Sequence, residues 1–454
     1  MSQIHKFFIE HALYPAMEHL KGNHIRRITA ELQETQKSGA TELQRQRLAC
    51  LLKDCRDHVP AYENAITAGD AEIDKDPYRI LQTQVSPLKK SVFQKNGKQY
   101  LSDRIPESMR IANCTGGSTG QPTHFFMTKN QVQTYEAARW RGLSWFGITP
   151  GSRSVMLWGN PIELSRKDQA RYQAKERFLK NRVILSAYSL TEKHAKSHVE
   201  FINKYRPEYL YGYAGILTAF ARIMDAQGLR LSVPLKAVVS TSETLENRQR
   251  DLLQRVFGCP VANEYGARDA GILAYTCPEN GHLHITAENC LIEILDPITL
   301  KPLPPGNSGL IAVTDLNNEV QPRLRWLLGD VGTLSETPCP CGRGLPVLKK
   351  VEGREDALLL RTDEILVHGN VITQILRADK NIRTFRFRQL SPAEAALSIV
   401  KAEGTAIDEQ ALQSQIAGVL PGTKIHIEYT DEIPPSASGK IRTIIREFSL
   451  PNEK

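Results

Sequence analysis

Hydrophobic and polar positions follow two periods along this chain. Up to about residue 62 the period is helical: Leu48, Leu51, Leu52, Cys55 and Val59 share one face before Pro60 stops the run. Thr41, followed three positions later by Gln44, reads as a capping box at the start of that helix. Residues 63–110 are mixed. Beyond them, short apolar runs alternate with amphipathic stretches. The spacing predicts helix 129–146, strands 154–158 and 183–188, and helix 191–205 stopped by Pro207. Strand 209–213, helix 215–227 closed by Gly228, strand 235–239, helix 245–257 closed by Gly258 and strand 261–265 follow. Strands alternating with helices of this length imply βαβ units, a largely parallel sheet and the α/β class. Ligands of such sheets sit beyond the carboxyl ends of the strands, which singles out loops 213–215, 240–243 and 264–271.

The pattern changes at residue 281. Short strands such as 290–295 and 309–314, separated by Pro302, Pro304, Pro305 and Gly306, predict a small β subdomain over 281–333. It changes again at Gly353-Arg354-Glu355-Asp356. Strands near 384–389, 396–401 and 424–429, with helices near 371–378 and 408–419, predict a compact α+β domain. The expected organisation is therefore a large domain over 1–355, with a helical extension at 1–62, and a small one over 356–454.

At 454 residues the chain exceeds what one hydrophobic core usually organises, in keeping with two domains. Its net charge of +8 permits a nucleic-acid partner, but the Lys and Arg residues are spread out with no aromatic interleaving. A basic site for an anionic nucleotide fits the balance equally well. No apolar run reaches the length of a membrane span, and Glu10 and His11 interrupt the apolar residues after Lys6, so no signal peptide is read and a cytoplasmic location is expected. Of the eight cysteines, Cys50 and Cys55 fall in the helical pattern and read as core; no disulfide framework is expected.

Four stretches carry candidate chemistry. Thr115-Gly116-Gly117-Ser118-Thr119-Gly120 is poor in side chains, exposes backbone N–H groups and adds hydroxyl donors, the makings of an anion-binding nest. It is not a Walker A loop, since no Gly-Lys-Ser/Thr follows. Glu264-Tyr265-Gly266, with Asp269 beyond, puts an aromatic face and carboxylates at the sheet's carboxyl edge. Gly329-Asp330 presents a carboxylate on a tight turn, and Arg354 follows at the domain edge. Lys440 sits in the glycine-containing run Ser438-Gly439-Lys440. Each of these, taken singly, also fits a plain turn.

In this order, the stretches resemble the adenylate-forming superfamily, in the branch of phenylacetate–CoA ligases, CapK-like proteins and coenzyme F390 synthetases. The resemblance covers nearly the whole chain, from His58-Val59-Pro60-Ala61-Tyr62 to the terminal lysine loop. It implies a large N-terminal domain with a small mobile C-terminal lid, and ATP-dependent activation of an aryl or acyl carboxylic acid as acyl-AMP. Transfer to a thiol follows, with coenzyme A the expected acceptor; a carrier-protein phosphopantetheine, an amine, or a non-catalytic binding protein of the same fold are the alternatives. By resemblance, Thr115, Gly116, Gly117, Ser118, Thr119 and Gly120 bind phosphate; Glu264, Tyr265 and Gly266 lie beside adenine; Asp330 and Arg354 grip the ribose. Lys440 would bridge the substrate carboxylate and the α-phosphate, Asp269 would hold Mg²⁺ where the family usually has glutamate, and Arg325 matches an arginine before the ribose aspartate. Asp356 is the expected hinge. No nucleic-acid or membrane partner is implied, and a homodimer is open.

Two cysteine clusters remain. Cys277, then His282 and His284, lies about sixty residues before Cys339-Pro340-Cys341. Three cysteines and one histidine make a complete tetrahedral set for a structural Zn²⁺, with a pair of free-thiol turns as the alternative; the branch's Leu-His pattern favours His284. The acid pocket is expected near Trp158-Gly159-Asn160, 211–215 and 241–243, where Trp158, Tyr211 and Tyr213 fit either a flat substrate or plain core.

Overall fold

The computed structural model describes residues 2–115, 123–158, 166–186, 192–434 and 443–450. Strands β1 (Ile111–Cys114) and β2 (His124–Met127) pair antiparallel on either side of the glycine-rich stretch. Then come β3 (Ser154–Trp158), β4 (Arg182–Ser186), β5 (Tyr209–Tyr213), β6 (Ala237–Thr241), β7 (Val261–Ala267), β8 (Gly271–Thr276) and β9 (Leu283–Ile285). They are followed by β10 (Cys290–Leu295), β11 (Ser308–Asp315), β12 (Trp326–Leu334) and β13 (Val347–Arg354). From β3 onward these strands form one eleven-stranded sheet in the order β10-β11-β12-β13-β9-β8-β7-β6-β5-β3-β4. The strands β4, β3, β5, β6 and β7 run parallel, as the βαβ alternation requires. From β8 onward every neighbour is antiparallel. The strands expected to form a β subdomain thus extend the same sheet.

Helix and strand boundaries fall within about two residues of the hydrophobic pattern. The larger departures are informative. The apolar run of β6 ends at Val239, yet the ladder continues through buried Ser240 and Thr241, paired with Asn263 and Glu264 of β7. Likewise β7 runs on to Ala267. Polar residues keep strand geometry where the sheet approaches the predicted site.

The N-terminal helices pack as one cluster. Leu48, Leu52, Cys55 and Val59 are buried against Phe93, Leu324 and Trp326, so the helical extension is cemented to the start of β12. Cys50, expected in the core, is exposed; only Cys55 of the pair faces inward. The capping box is also corrected. Helix Thr41–His58 begins after Ala40 with no side-chain cap, and Gln44 is buried. Its Nε2 donates to the carbonyls of Ala287 (3.1 Å) and Cys290 (2.8 Å), and its Oε1 accepts from Tyr78 Oη (3.0 Å). Three tertiary bonds outcompete one local bond to the helix start.

The C-terminal segment comprises β14 (Leu358–Leu360), β15 (Leu366–His368), β16 (Ile382–Ser391), β17 (Glu394–Lys401), β18 (Lys424–Tyr429) and β19 (Ile444–Arg446). Helices Asn370–Ala378 and Glu409–Val419 cover the sheet β18-β17-β16-β19. Its core, with Leu359, Ile372, Phe387, Leu397 and Ile416, is separate from those of the large sheet. Leu358 belongs instead to the cluster of Leu295, Leu310 and Val331, as strand alternation dictates for neighbouring residues. No helix among the described residues is long and apolar enough to cross a membrane.

Gln44 gives a discriminating substitution. A helix-start role would tolerate Gln44→Glu, since either residue completes a capping box. As a buried donor to two carbonyls it should not: Gln44→Glu is expected to lower unfolding free energy by about 2 kcal/mol or more in urea titration, and by more than Gln44→Ala.

Candidate active site

Strand alternation at the carboxyl end of β7 sends Glu264 and Tyr265 to opposite faces. On one face Tyr265 Oη donates to Asp330 Oδ2 at 3.0 Å, and Arg354 Nη1 donates to Asp330 Oδ1 at 3.0 Å and to the Leu328 carbonyl at 2.9 Å. Asp330 and Arg354 are register partners across β12 and β13. The turn needs glycine at 329: its φ is +75°, and a Cβ there would lie 2.6 Å from Arg354 Nη2. Burial, then the Asp330 carboxylate, pushes the Tyr265 phenol far above its ordinary value, so it remains a donor. Burial works against the Arg354 charge, but Asp330 and Glu355 raise its pKa on balance.

On the turn after β7, Asp269 is buried, and its Oδ2 accepts from Trp326 Nε1 at 3.1 Å. Its main-chain oxygen accepts from Arg323 Nη2 at 2.7 Å. The guanidinium of Arg323 lies 4.9 Å over the Phe125 ring and 5.8 Å over Trp326. Gly271 closes this turn with φ +80°; a Cβ there would meet the Tyr135 ring at 2.2 Å. Lys90 was missed by the sequence reading. Burial lowers its pKa, while Asp269 raises and Arg354 lowers it, which places the ammonium within electrostatic reach of both predicted site residues. Only the dibasic Lys89-Lys90 at the start of helix Lys90–Asn96 hinted at it.

Arg325 is not brought to this cluster. It is buried with φ +51°, its Nε donates to Glu293 Oε2 at 3.0 Å, and its Nη1 donates to the Val85 carbonyl at 2.9 Å. Its charge is committed to joining the N-terminal helices and β10.

On the other face of β7, buried Glu264 accepts from Tyr211 Oη (2.7 Å), Arg139 Nε (3.1 Å) and Thr241 Oγ1 (3.3 Å). Gly266 follows on the same strand. Burial, then Glu264, raises the Tyr211 phenol. Trp158, Tyr211 and Tyr213, from the ends of β3 and β5, stack into one aromatic wall: ring centroids are 6.2 Å apart for Trp158–Tyr211 and 3.9 Å for Trp158–Tyr213. Glu243 Oε2 accepts the Gly215 N–H at 2.7 Å, joining the loops after β5 and β6.

Gly116, Gly117, Ser118, Thr119 and Gly120 lie outside the described residues, as do Lys440, Gly159 and Asn160. The root of the glycine-rich stretch is described. Thr115 N–H donates to the Thr123 carbonyl at 3.0 Å, Thr123 N–H to Thr115 Oγ1 at 3.0 Å, and Arg268 Nη1 to the Cys114 carbonyl at 3.1 Å. The turn carrying Asp269 is therefore tethered to that root.

Cys277, His284, Cys339 and Cys341 converge, with their ligand atoms all within 4.8 Å of one another. His284 Nε2 is 3.2 Å from Cys341 Sγ, and Cys339 Sγ is 4.0 Å from Cys277 Sγ. Sulfurs around a tetrahedral ion bound at about 2.3 Å sit about 3.8 Å apart, so the set fits a zinc ion. Burial, then Arg343, lowers His284 to about 4, which keeps it a neutral, ligand-competent imidazole. His282 is not part of the group.

No family model matches the chain. It is similar to protein CapK of Staphylococcus aureus, 25% identical over 380 residues that cover 80% of each chain. It is similar also to the phenylacetate–coenzyme A ligase of Thermus thermophilus, 24% identical over 456 residues covering 91% of this chain and 98% of the relative. Among solved structures, 2-hydroxyisobutyryl-CoA ligase in its postadenylation state with R3-HIB-AMP matches with a TM-score of 0.69 at 17% identity, covering 91% and 92% of the two chains.

The buried Glu264 cluster yields a stability prediction. Glu264→Gln removes the charge facing Arg139 and replaces one of its two acceptor oxygens by an NH2 donor, and should lower unfolding free energy by about 1–3 kcal/mol in chemical denaturation. An unchanged midpoint would mean that this carboxylate is not held as described.

Proposed function

From its membership of the adenylate-forming superfamily, in the phenylacetate–CoA ligase-like branch, we propose that this AMP-forming acid–thiol ligase activates an aryl or acyl carboxylic acid as its acyl-AMP, releases pyrophosphate and passes the acyl group to coenzyme A. The observation that carries the reading is the Tyr265–Asp330–Arg354 chain, with the root of the glycine-rich stretch tethered by Arg268 to the same turn. Together they offer carboxylate acceptors for a ribose diol at one end and, at the other, the root from which the glycine-rich stretch would present backbone donors to phosphates. The acyl adenylate bound to 2-hydroxyisobutyryl-CoA ligase supports the same use of the cleft.

In this reaction Thr115, Gly116, Gly117, Ser118, Thr119 and Gly120 donate to the ATP phosphates, and Glu264, Tyr265 and Gly266 border the adenine. Asp330 and Arg354 fix the ribose. Asp269 is oriented by Trp326, which donates to its Oδ2, and is the carboxylate that would hold Mg²⁺. Bound there, Mg²⁺ would neutralise charge on the departing phosphates. Lys440, brought by the C-terminal domain pivoting near Asp356, pairs with the acid's carboxylate and the α-phosphate, placing them for in-line attack. The thiol then displaces AMP from the acyl carbon. Arg325 acts at a distance, by fixing the backbone that leads into Trp326 and Asp330. The Trp158, Tyr211 and Tyr213 wall favours a flat acid.

The cluster of Cys277, His284, Cys339 and Cys341 holds a structural zinc ion that ties the β8–β9 connection to the turn leading into β13. Three thiolates and one imidazole leave no open position for chemistry.

Three measurements test these readings. Acid-dependent ATP–pyrophosphate exchange over a panel of aryl and acyl acids should be detectable, and Lys440→Ala should slow it by about 10²–10³-fold; full-speed exchange in that variant would sink the mechanism. Coenzyme A, a phosphopantetheinylated carrier and simple amines, added in turn, identify the acceptor. Elemental analysis of the purified protein should find about one equivalent of zinc, lost in Cys339→Ser together with a lower melting temperature. Less than about half an equivalent in the unmodified protein would overturn the metal assignment.

A further inference from the structure

A cavity of about 380 Å³ opens at the amino ends of β3 and β4, the edge of the sheet opposite Glu264 and Tyr265. His5 enters it from helix Ser2–Phe8, Arg153 from the residue before β3, Arg177 from helix Arg166–Lys180, and Lys204 from helix Glu192–Tyr205. Four basic side chains from four separate elements thus face one space, and among the described residues no carboxylate lines it. Two flanking acids are already committed. Glu176 pairs with Lys180 (2.8 Å) and Arg182 (3.5 Å), and Glu208 with Lys6 (2.7 Å) and Lys236 (2.8 Å). Converging cations without counter-charges repel one another unless an anion comes from outside.

Arg153 is held at the wall of this space by Tyr205. Its Nη1 donates to the Tyr205 carbonyl at 2.5 Å and its guanidinium lies 4.9 Å over the Tyr205 ring. Beside it Phe201 and Tyr205 stack with centroids 5.5 Å apart and planes 17° apart, giving the cavity a flat apolar wall. A phosphate monoester matches this lining. Its dianionic head offers three oxygens to Arg153, Arg177 and Lys204, and its organic part lies on the aromatic wall.

We infer that this cavity is a second ligand site, distinct from the candidate active site, which binds a phosphate monoester with a flat or apolar body. Either a soluble ester or a lipid headgroup supplies that chemistry. The helix that carries His5 also exposes Ile4, Phe7 and Phe8, and Phe178 on the rim is 65% exposed, so the two sources call for separate arms.

The experiment is calorimetric titration of the full chain with phenyl phosphate, no nucleotide being present, and with benzyl alcohol as the neutral match. Phenyl phosphate should bind and benzyl alcohol should not. Arg177→Ala/Lys204→Ala, with an unaltered circular dichroism spectrum, should weaken binding at least about tenfold, while the surface control Arg222→Ala/Arg248→Ala leaves it unchanged. In parallel, sedimentation with phosphatidylcholine vesicles, with and without phosphatidate, reads the lipid arm. Phosphatidate-dependent binding that the double substitution abolishes assigns the headgroup; phenyl phosphate binding without it assigns a soluble ester. Equal phenyl phosphate affinity in the unmodified protein and the double variant, or no binding in either arm, overturns the proposal.

Discussion

Everything at the carboxyl edge of the large sheet depends on β7 having a parallel neighbour on one side and an antiparallel neighbour on the other. A strand alternates its side chains between two faces, so consecutive residues cannot serve one surface. Glu264 goes to Arg139, Tyr211 and Thr241; Tyr265 goes to Asp330. The two faces thereby acquire different chemistry from one strand: a buried, charge-paired cluster under an aromatic wall, and a carboxylate gripped by a phenol and a guanidinium. The parallel side opens a crevice at the strand ends. The antiparallel side brings β12 and β13, far along the chain, to within hydrogen-bonding distance of it.

That arrangement needs a rigid frame, and the N-terminal helices supply it through buried polar bonds as much as through apolar packing. Gln44 donates to two carbonyls at the start of β10, and Arg325 joins Glu293 of β10 to the carbonyl of Val85. A polar group buried at such a joint is expensive unless satisfied, so these contacts admit few alternative dockings. The positive φ at Arg325 is a local strain that its ion pair and carbonyl contacts offset. Trp326, the next residue, then reaches Asp269, so the docking of the helices is transmitted directly to a residue at the candidate metal position.

Much of this was legible beforehand because it rests on local rules. Apolar runs of β3, β5 and β7 and the glycines at 228 and 258, both with positive φ, marked elements whose period no tertiary contact overrides. Among the predicted residues, Tyr265, Asp330 and Arg354 are joined by hydrogen bonds. What escaped depended on partners distant in sequence. Gln44 looked like a cap because its tertiary acceptors lie more than two hundred residues away. Arg325 looked like part of the site, by its match to an arginine before the ribose aspartate, because a short motif does not reveal Glu293 behind it. Lys90 carried no motif at all; only the fold brings it near Asp269 and Arg354. The extension of β6 through Ser240 and Thr241 was hidden because hydrophobicity, the signal being read, stops where the functional edge begins.

The same reasoning bears on how a small domain could work against this edge. Leu358 lies in the core formed with Leu295, Leu310 and Val331, while the adjacent Leu359 lies in the core formed with Phe387 and Leu397. The pivot proposed near Asp356 lies just before a joint that anchors one residue on each side. Across the gap, Arg377 forms an ion pair with Glu246 at the start of helix Asn247–Phe257, with both side chains about one-third exposed. A pair so accessible to water stabilises one orientation only weakly and is screened by salt. The firm connection is therefore at the joint and the weak one at the far surface. A body attached in that way can turn without being released, which is what the proposed delivery of Lys440 to an adenylate and its later withdrawal for the thiol would require.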